Sequence, residues 1–365
     1  MREFDSVVKF AETAPELYEA MKIYFHNEMA EAGAKGYATA NESKDVMEKA
    51  INKAYFEEIQ RRSGYTLDNF DGDMKRFSNS VVIKQFANDI RDFMIDMILP
   101  ETLLNSTISS FTDFRFADLG DSMSFNIENN ALYTVSKAGY RLRTTNMQKL
   151  YGTTVTLVPE NHMLTVGTDL FDYLTGRASI AKDVMKAARS IETAMLFDAY
   201  DAFDTAMEGL TGGLTVTNYS ERGLLTLCET VSAYNQGRKA VILGTPVALK
   251  SVLPSNTNYR YLLDSDYVRI GHLPTFNDYD VIPMVQVANP YDAANPYALK
   301  LRDDRIYVVS PASDKLVKIG IGGSLVSHTD AIYDNANLLQ MSTLSKAWDT
   351  QVMTNSTAGV IKIQG

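Results

Sequence analysis

The feature that most constrains the fold is a long helical pattern between Ser179 and Glu208, which contains no glycine and no proline. Apolar side chains recur along it at spacings of three and four residues, the period of one helix face. The members of this stripe are Ile180, Val184, Ala187, Ile191, Ala194, Met195, Ala199, Phe203 and Met207. At 1.5 Å per residue the helix would be about 45 Å long, far beyond the roughly 11–12 residues of an average globular helix. A helix of this length is expected to cross the whole subunit.

Residues 1–104 are predicted to be mostly helical, with amphipathic patterns at 16–25, 46–59 and 82–97. Their apolar faces are formed by Leu17, Met21, Tyr24 and Phe25, by Val46, Ile51, Tyr55 and Ile59, and by Val82, Phe86, Ile90, Phe93 and Met97. Glycines follow the first two patterns, and Pro100 is predicted to end the third. The pattern leaves open whether this region is a long arm, an added subdomain or a scaffold-like segment.

Strand character begins in residues 105–178, where apolar and polar side chains alternate at 123–127 and again at 154–157. Between these two runs lies a long polar excursion, Arg141–Thr154, rich in Arg, Thr, Asn and Gln. We therefore predict an extended hairpin at about 122–158 with little core of its own. A two-stranded hairpin is only marginally stable in water, so something else must pack on it.

After the long helix, Gly209–Gly213 is predicted to form its stop and a turn, which closes the segment 179–213. Residues 214–310 then have an α/β pattern, in which capped helices follow Ser220 and Thr245. The predicted strands of this part are 240–243, 281–287 and 306–309. Residues 311–365 return to strands, which are predicted at 316–321, at 360–363 and, as a strand or a helix, at 338–348.

Residues that could carry chemistry are few and scattered. The four histidines, His26, His162, His272 and His328, lack the spacing of metal ligands and are predicted to be surface or structural residues. The single cysteine, Cys228, excludes an intramolecular disulfide and lies on the apolar face of a predicted helix, as a small core residue would.

Three further motifs fail the tests for an active site. Gly320–Ser324 lacks the Lys-Ser/Thr ending of a phosphate loop and is predicted to be a glycine-rich turn or bulge between strands. The junction Gly244-Thr245-Pro246 follows a strand but lacks the glycine spacing of a dinucleotide fold. The carboxylates Asp198, Asp201 and Asp204 are predicted to form the solvated or subunit-facing edge of the long helix. We therefore predict no catalytic, cofactor-binding or metal-binding residues and no enzymatic activity.

The formal net charge is −10, and no basic stripe is visible, so any contact with nucleic acid is expected to be loose. The start of the chain, Met1–Asp5, lacks the apolar core of a signal peptide. No apolar run approaches the roughly 20 residues that span a bilayer, so no membrane association is expected.

The order of these elements resembles the major capsid proteins of tailed bacteriophages, which have the Hong Kong 97 fold. In that family the hairpin is the E-loop, the long helix is the spine of the peripheral domain, and the α/β part is the axial domain. The stretch Ala240–Lys250 is similar to the strand and helix of the axial domain. The stretch Leu338–Ile363 is similar to the closing strands of the peripheral domain. The resemblance covers residues 105–365, and the helical region before them departs from the short extended arm of the family.

The resemblance implies an α+β fold of the Hong Kong 97 type and a subunit that assembles into hexamers and pentamers of an icosahedral head around double-stranded DNA. It implies scaffolding, portal and decoration proteins as partners, assembly in the host cytoplasm and a final location in the virion. Lys137 and Lys149 lie in the candidate loop, but nothing in the sequence assigns them a crosslinking role.

Two alternatives stay open at this stage. The first is an encapsulin, a shell of the same fold that encloses a cargo enzyme; a neighbouring ferritin-like or peroxidase gene would favour it over a phage head. The second is an α/β enzyme whose site is assembled from dispersed residues. Electron microscopy of the purified protein would separate a shell from a compact enzyme.

Overall fold

The computed structural model describes residues 5–34, 36–39, 42–105, 109, 111–117, 123–127, 149, 152–167, 170–253, 271–289, 291–295, 297–310, 314–329 and 341–363. The helices in these ranges are α1 (Asp5–Thr13), α2 (Pro15–Glu31), α3 (Lys44–Ser63), α4 (Met74–Asn79), α5 (Val81–Asn105), α6 (Leu170–Leu174), α7 (Ile180–Glu208), α8 (Glu221–Tyr234) and α9 (Pro246–Leu249). The strands are β1 (Thr112–Ala117), β2 (Met123–Ile127), β3 (Thr153–Leu157), β4 (Glu160–Gly167), β5 (Thr215–Thr217), β6 (Val241–Gly244), β7 (Thr275–Phe276), β8 (Tyr279–Pro283), β9 (Arg305–Val309), β10 (Val317–Thr329), β11 (Met341–Val352) and β12 (Gly359–Lys362).

The described strands form three sheets. A four-stranded sheet has the order β1-β10-β11-β4, in which β1 and β10 are parallel and the other pairs antiparallel. A six-stranded mixed sheet has the order β5-β12-β9-β6-β8-β7. The strands β2 and β3 form an antiparallel pair of their own. The predicted mixture of helices and strands is confirmed.

The predicted long helix is confirmed as α7, which spans 29 residues. The Ser179 hydroxyl accepts a hydrogen bond from the Lys182 backbone N–H and caps its start, and Gly209 follows its end. Met195 is fully buried, as the predicted stripe requires. Toward its C-terminal end the ring of Phe203 packs against Tyr307 of β9, with ring centroids 4.8 Å apart. Residues of α7 therefore share one core with both larger sheets.

The N-terminal helices also belong to this core. Buried side chains of α1 to α5 pack in the same cluster as α7, β10 and β11. The predicted stop at Pro100 is wrong, because α5 continues through it to Asn105. A proline inside a helix cannot donate a hydrogen bond to the carbonyl four residues earlier, here that of Asp96, and costs about 3 kcal/mol. The helix continues because Ile98, Leu99 and Leu103 are buried on both sides of the proline, so tertiary packing outweighs the local cost.

Two predicted core positions in these helices are also wrong. Val46 and Val82 are exposed, and the neighbouring Met47 and Ile83 are buried instead. Both errors lie in the first turn of a helix. There the apolar pattern has few preceding residues, so it does not determine which side of the helix faces the core. The later members of both stripes, among them Ile59 and Ile90, are fully buried as predicted.

The C-terminal stretch divides between the two larger sheets. The segment predicted as a strand or a helix is the strand β11 over its described residues, and β10 extends beyond the predicted end at 321 to Thr329. The last strand, β12, pairs with β5 and β9 of the six-stranded sheet and not with β10 or β11. The chain therefore returns to the α/β part at its end, which the sequence pattern did not predict.

Candidate functional site

The candidate site is the base of the hairpin, where β2 and β3 meet the four-stranded sheet. The two strands form an antiparallel pair, as predicted, and their register runs from Met123 opposite Leu157 to Ile127 opposite Thr153. Their buried side chains are Met123, Phe125 and Leu157, which form a small cluster separate from the main core. The remainder of the predicted hairpin lies outside the described residues, apart from Lys149, Gly152 and Val158.

Two glycines of β10 make room for this cluster. A Cβ atom on Gly320 would lie 2.7 Å from Sδ of Met123 and 3.2 Å from Cδ1 of Leu157. A Cβ atom on Gly322 would lie 3.1 Å from the ring of Pro159. Residues two apart on a strand point to the same face, so the two glycines clear one flat facet on which the hairpin base packs.

The sequence predicted only part of this role. A β-bulge is present, because the register between β10 and β11 shifts between Gly322 and Val326. The glycines lie within one continuous strand, however, and not in a turn between two strands. Their spacing of two residues was the signal that could have indicated a facet for close packing.

Two cationic side chains, Arg115 and Lys318, lie beside the ring of Phe125 in this cluster. The Arg115 guanidinium lies 4.0 Å from the ring centroid of Phe125, and its Nη1 donates a hydrogen bond of 2.6 Å to the Ser124 carbonyl. Lys318 is buried beside the same ring, with Nζ 5.8 Å from its centroid, and donates to Oδ1 of Asp314. The hairpin base thus contacts the rest of the subunit through a few apolar side chains, two cation–π contacts and the Arg115 hydrogen bond.

We expect Gly320→Val to displace the hairpin base while the main core stays folded. The added methyl groups would overlap Met123, and overpacking of this kind costs about 1–3 kcal/mol. The matched control is Gly167→Val in β4 of the same sheet, where a Cβ atom would meet no atom within 4 Å. Thermal unfolding and protease cleavage between β2 and β3 measure the effect. Equal melting temperatures and equal cleavage rates of the two variants would show that the glycine facet does not hold the hairpin base. Adding Met123→Ala to Gly320→Val removes the overlapping side chain and should restore the protease resistance of the hairpin base.

The three carboxylates on α7 bind side chains of the same chain. Asp198 accepts a hydrogen bond of 2.7 Å from Nε1 of Trp348, on which the ring of His162 stacks at 3.6 Å. Asp204 accepts one of 3.0 Å from the Tyr307 hydroxyl, and burial together with this carboxylate raises the pKa of Tyr307. Asp201 pairs with Lys300. This edge of α7 is partly solvated, as predicted, since the side chains of Asp198 and Asp201 are 44% and 64% exposed. Asp198 and Asp204 also attach α7 to the two larger sheets.

The other residues considered for chemistry lie apart from one another. Burial raises the pKa of the Cys228 thiol to about 12, which leaves it protonated and unreactive at neutral pH. His272 is buried beside the α/β part, and His26 lies 3.3 Å from Glu101 on the N-terminal helices. The side chain of His328 lies outside the described residues. Within the described ranges, no group of three or more His, Cys, Asp or Glu side chains is placed to hold a metal ion.

A cavity of about 660 Å³ lies between α2, α3 and α7. Several charged side chains of its lining form ion pairs: Lys44 contacts Glu28, and Lys182 lies 2.9 Å from Glu48. Arg189 lies 3.5 Å from the same Glu28 carboxylate. The pairs of Lys182 and Arg189 join the N-terminal half of α7 to α3 and α2.

Sequence reasoning missed a polar cluster buried between α5 and the four-stranded sheet. Nζ of Lys346 donates hydrogen bonds to Oδ1 of Asp96 at 2.7 Å and to the Gly323 carbonyl at 2.8 Å. The second oxygen of Asp96 accepts a 2.6 Å hydrogen bond from the Leu325 N–H. Both charged side chains are 1% exposed. The bulge in β10 is thus bound to α5 through one ion pair. No sequence signal identifies it, because its partners are far apart in the chain.

No family model matches the sequence. No curated protein matches it either. Solved structures do, at low identity. The chain is similar to bacteriophage PhiM1 mature capsid, with 11% identity over 71% of this chain and 87% of that one and a TM-score of 0.44. It is similar to the capsid of an empty GTA particle, with 13% identity, coverage of 71% and 97% and a TM-score of 0.46. It is also similar to a virus-like particle from Pyrococcus furiosus, with 10% identity, coverage of 72% and 96% and a TM-score of 0.40. Two of the three are capsids.

Proposed function

We propose that this chain is a major capsid protein of the tailed-bacteriophage type, a structural subunit that self-assembles into hexamers and pentamers of an icosahedral head enclosing double-stranded DNA. The observation that carries the proposal is the hairpin base. The segment 128–152 is inserted between two strands, and among the described residues three buried side chains of these strands anchor them to the subunit. A long insertion on so small an anchor is suited to gain stabilising contacts elsewhere, and a neighbouring subunit would provide them in a shell.

The rest of the architecture fits a shell subunit. The helix α7 joins the four-stranded sheet to the six-stranded sheet through its hydrogen bonds to Trp348 and Tyr307, so a single helix connects the two sheets. In this proposal α7 is the spine, the four-stranded sheet belongs to the peripheral domain, and the six-stranded sheet with α8 and α9 is the axial domain. The N-terminal helices share the core of α7 and are an added subdomain rather than a free arm.

The proposed partners are further copies of the chain together with scaffolding, portal and decoration proteins. Contact with the packaged DNA would be loose, because the chain has a net charge of −10 and no basic stripe. In the described part of the chain no helix has the length and apolarity to cross a membrane. The proposed location is the virion, after assembly in the host cytoplasm.

Electron microscopy and sedimentation of the purified protein test the proposal. We expect closed shells, or hexamers and pentamers that close into shells when the protein is concentrated. A monomer that stays compact at every concentration and shows a saturable activity would contradict the proposal and favour the dispersed-site enzyme. Shells that copurify with a cargo enzyme rather than DNA would favour the encapsulin.

A further inference from the structure

A second charged pair lies one helical turn before Asp96, in the same contact between α5 and the sheet. Arg91 and Asp92 are 5% exposed each, and Nε of Arg91 is 4.0 Å from Oδ1 of Asp92. Neither of these two atoms has a hydrogen-bond partner. Arg91 uses its Nη2 instead to donate to the Ser342 hydroxyl of β11. The pair is therefore buried but poorly matched.

The contrast with the neighbouring pair is informative. Both oxygens of Asp96 accept short hydrogen bonds, one from the Leu325 N–H and one from the Lys346 ammonium. Asp92 has no comparable set of donors, and it lies four residues before Asp96, so the two carboxyl groups share one face of α5. An ionised Asp92 would be a buried charge without adequate partners beside a second negative charge, an arrangement with a high cost.

The ionisable groups around Asp92 come from several elements. On α5 they are Asp89, Arg91 and Asp96, and β10 contributes the Ser327 hydroxyl. Tyr55 of α3 and Tyr173 of α6 lie near the same pair. Lys346 of β11 is connected to the group through its ion pair with Asp96. Burial raises the pKa of Asp92 to about 7, and Asp96 and Asp89 act in the same direction. Ser327 and Arg91 oppose this shift but do not cancel it.

We propose that Arg91 and Asp92 form a proton-operated latch between the added N-terminal helices and the four-stranded sheet. The Asp92 carboxyl is neutral while α5 is docked, and its ionisation loosens α5 from the ends of β10 and β11 that carry Ser327 and Ser342. The latch lies in the helical region that departs from the capsid resemblance, and the inference does not depend on the proposed shell function.

The direction of the pH dependence follows from the raised pKa. An exposed aspartate ionises near pH 4, whereas the docked Asp92 keeps its proton up to about pH 7. The latch therefore contributes its full stability at acidic pH, loses it progressively as the pH rises from about 4 to about 7, and contributes no further change above that. One proton gives a change of about tenfold in the opening equilibrium per pH unit within that window.

Hydrogen exchange measured by mass spectrometry between pH 5 and pH 8 tests the latch, in wild type and in Asp92→Asn. The rates are corrected for the intrinsic exchange rate at each pH. As the pH rises, the protection of residues 323–329 and 341–346 against exchange should fall in the wild type relative to Asp92→Asn. The expected fall is about tenfold per pH unit up to about pH 6.5, and it should level off above pH 7. Asp68→Asn, which changes an exposed carboxylate of the same helical region, should keep the wild-type profile.

Parallel profiles of wild type and Asp92→Asn would overturn the proposal. Should the variant fail to fold, the wild-type protein alone supplies the answer. Residues 305–309 of the six-stranded sheet are not part of the latch and should keep their protection as the pH rises. An equal loss of protection in both sheets would mean global unfolding rather than a local latch, and it would overturn the proposal as well.

Discussion

A chain in which residues 128–152 are replaced by a two-residue Gly-Ser turn should fold to a stable monomer and form no shells. The replacement keeps every described contact of the hairpin base. Ile127 and Thr153 are directly paired, so a two-residue turn connects them in register. Met123, Phe125 and Leu157 stay on the glycine facet. Closing a shorter loop also costs less entropy, by about 2 kcal/mol, so the melting temperature should be unchanged or slightly raised.

In the proposed shell the removed segment supplies contacts between subunits, so assembly should fail. It contains four basic residues, Lys137, Arg141, Arg143 and Lys149, against the single acid Glu128, in a chain whose net charge is −10. A basic extension on an acidic subunit is suited to bind a neighbouring copy. The measurements are a melting curve and sedimentation, with electron microscopy of the same sample.

A control separates the length of the segment from its sequence. A variant that carries residues 128–152 in scrambled order should also fold and should also fail to assemble, because its contacts to the neighbour are lost. Normal shells from the shortened chain would refute the assignment of this segment to assembly. Loss of folding would mean that the segment belongs to the subunit's own core.

The sequence predicted best those elements whose signal is local and long. The stripe around Met195 was sufficient to place the long helix, and the capping residues Ser220 and Thr245 placed the helices of the α/β part. In both of these helices the capping hydroxyl accepts the expected backbone hydrogen bond. The hairpin strands were predicted from alternation alone, and the structure pairs them as an antiparallel two-stranded sheet.

What sequence reasoning missed depends on contacts between distant residues. Pro100 is a strong local stop signal, but burial of the flanking leucines overrides it. The strand β12 reads like any other short apolar strand, and only its partners β5 and β9 decide to which sheet it belongs. The role of Gly320 could be predicted only if the contact between Gly320 and Met123 were already known. Such facts are set by packing in three dimensions, which no pattern along the chain records.

The ion pair between Asp96 and Lys346 gives the other large expected effect, since Lys346→Met should destabilise the subunit by about 3–5 kcal/mol. The substitution keeps most of the side chain's volume but leaves the Asp96 carboxylate buried with the Leu325 N–H as its remaining described donor. It also removes the donor to the Gly323 carbonyl in the bulge of β10. A loss of this size is a large part of the 5–15 kcal/mol that holds a typical protein folded.

The double variant Asp96→Asn with Lys346→Met distinguishes a buried charge from lost packing. Asparagine keeps an oxygen for the Leu325 N–H and carries no charge, so the double variant should be more stable than Lys346→Met alone. Denaturant unfolding of the two single variants and the double variant gives the coupling between the two positions. Additive losses would mean that the charges do not interact, and would assign the effect of Lys346→Met to packing. Strong coupling is the expected result, because both side chains are 1% exposed and their charged atoms are 2.7 Å apart.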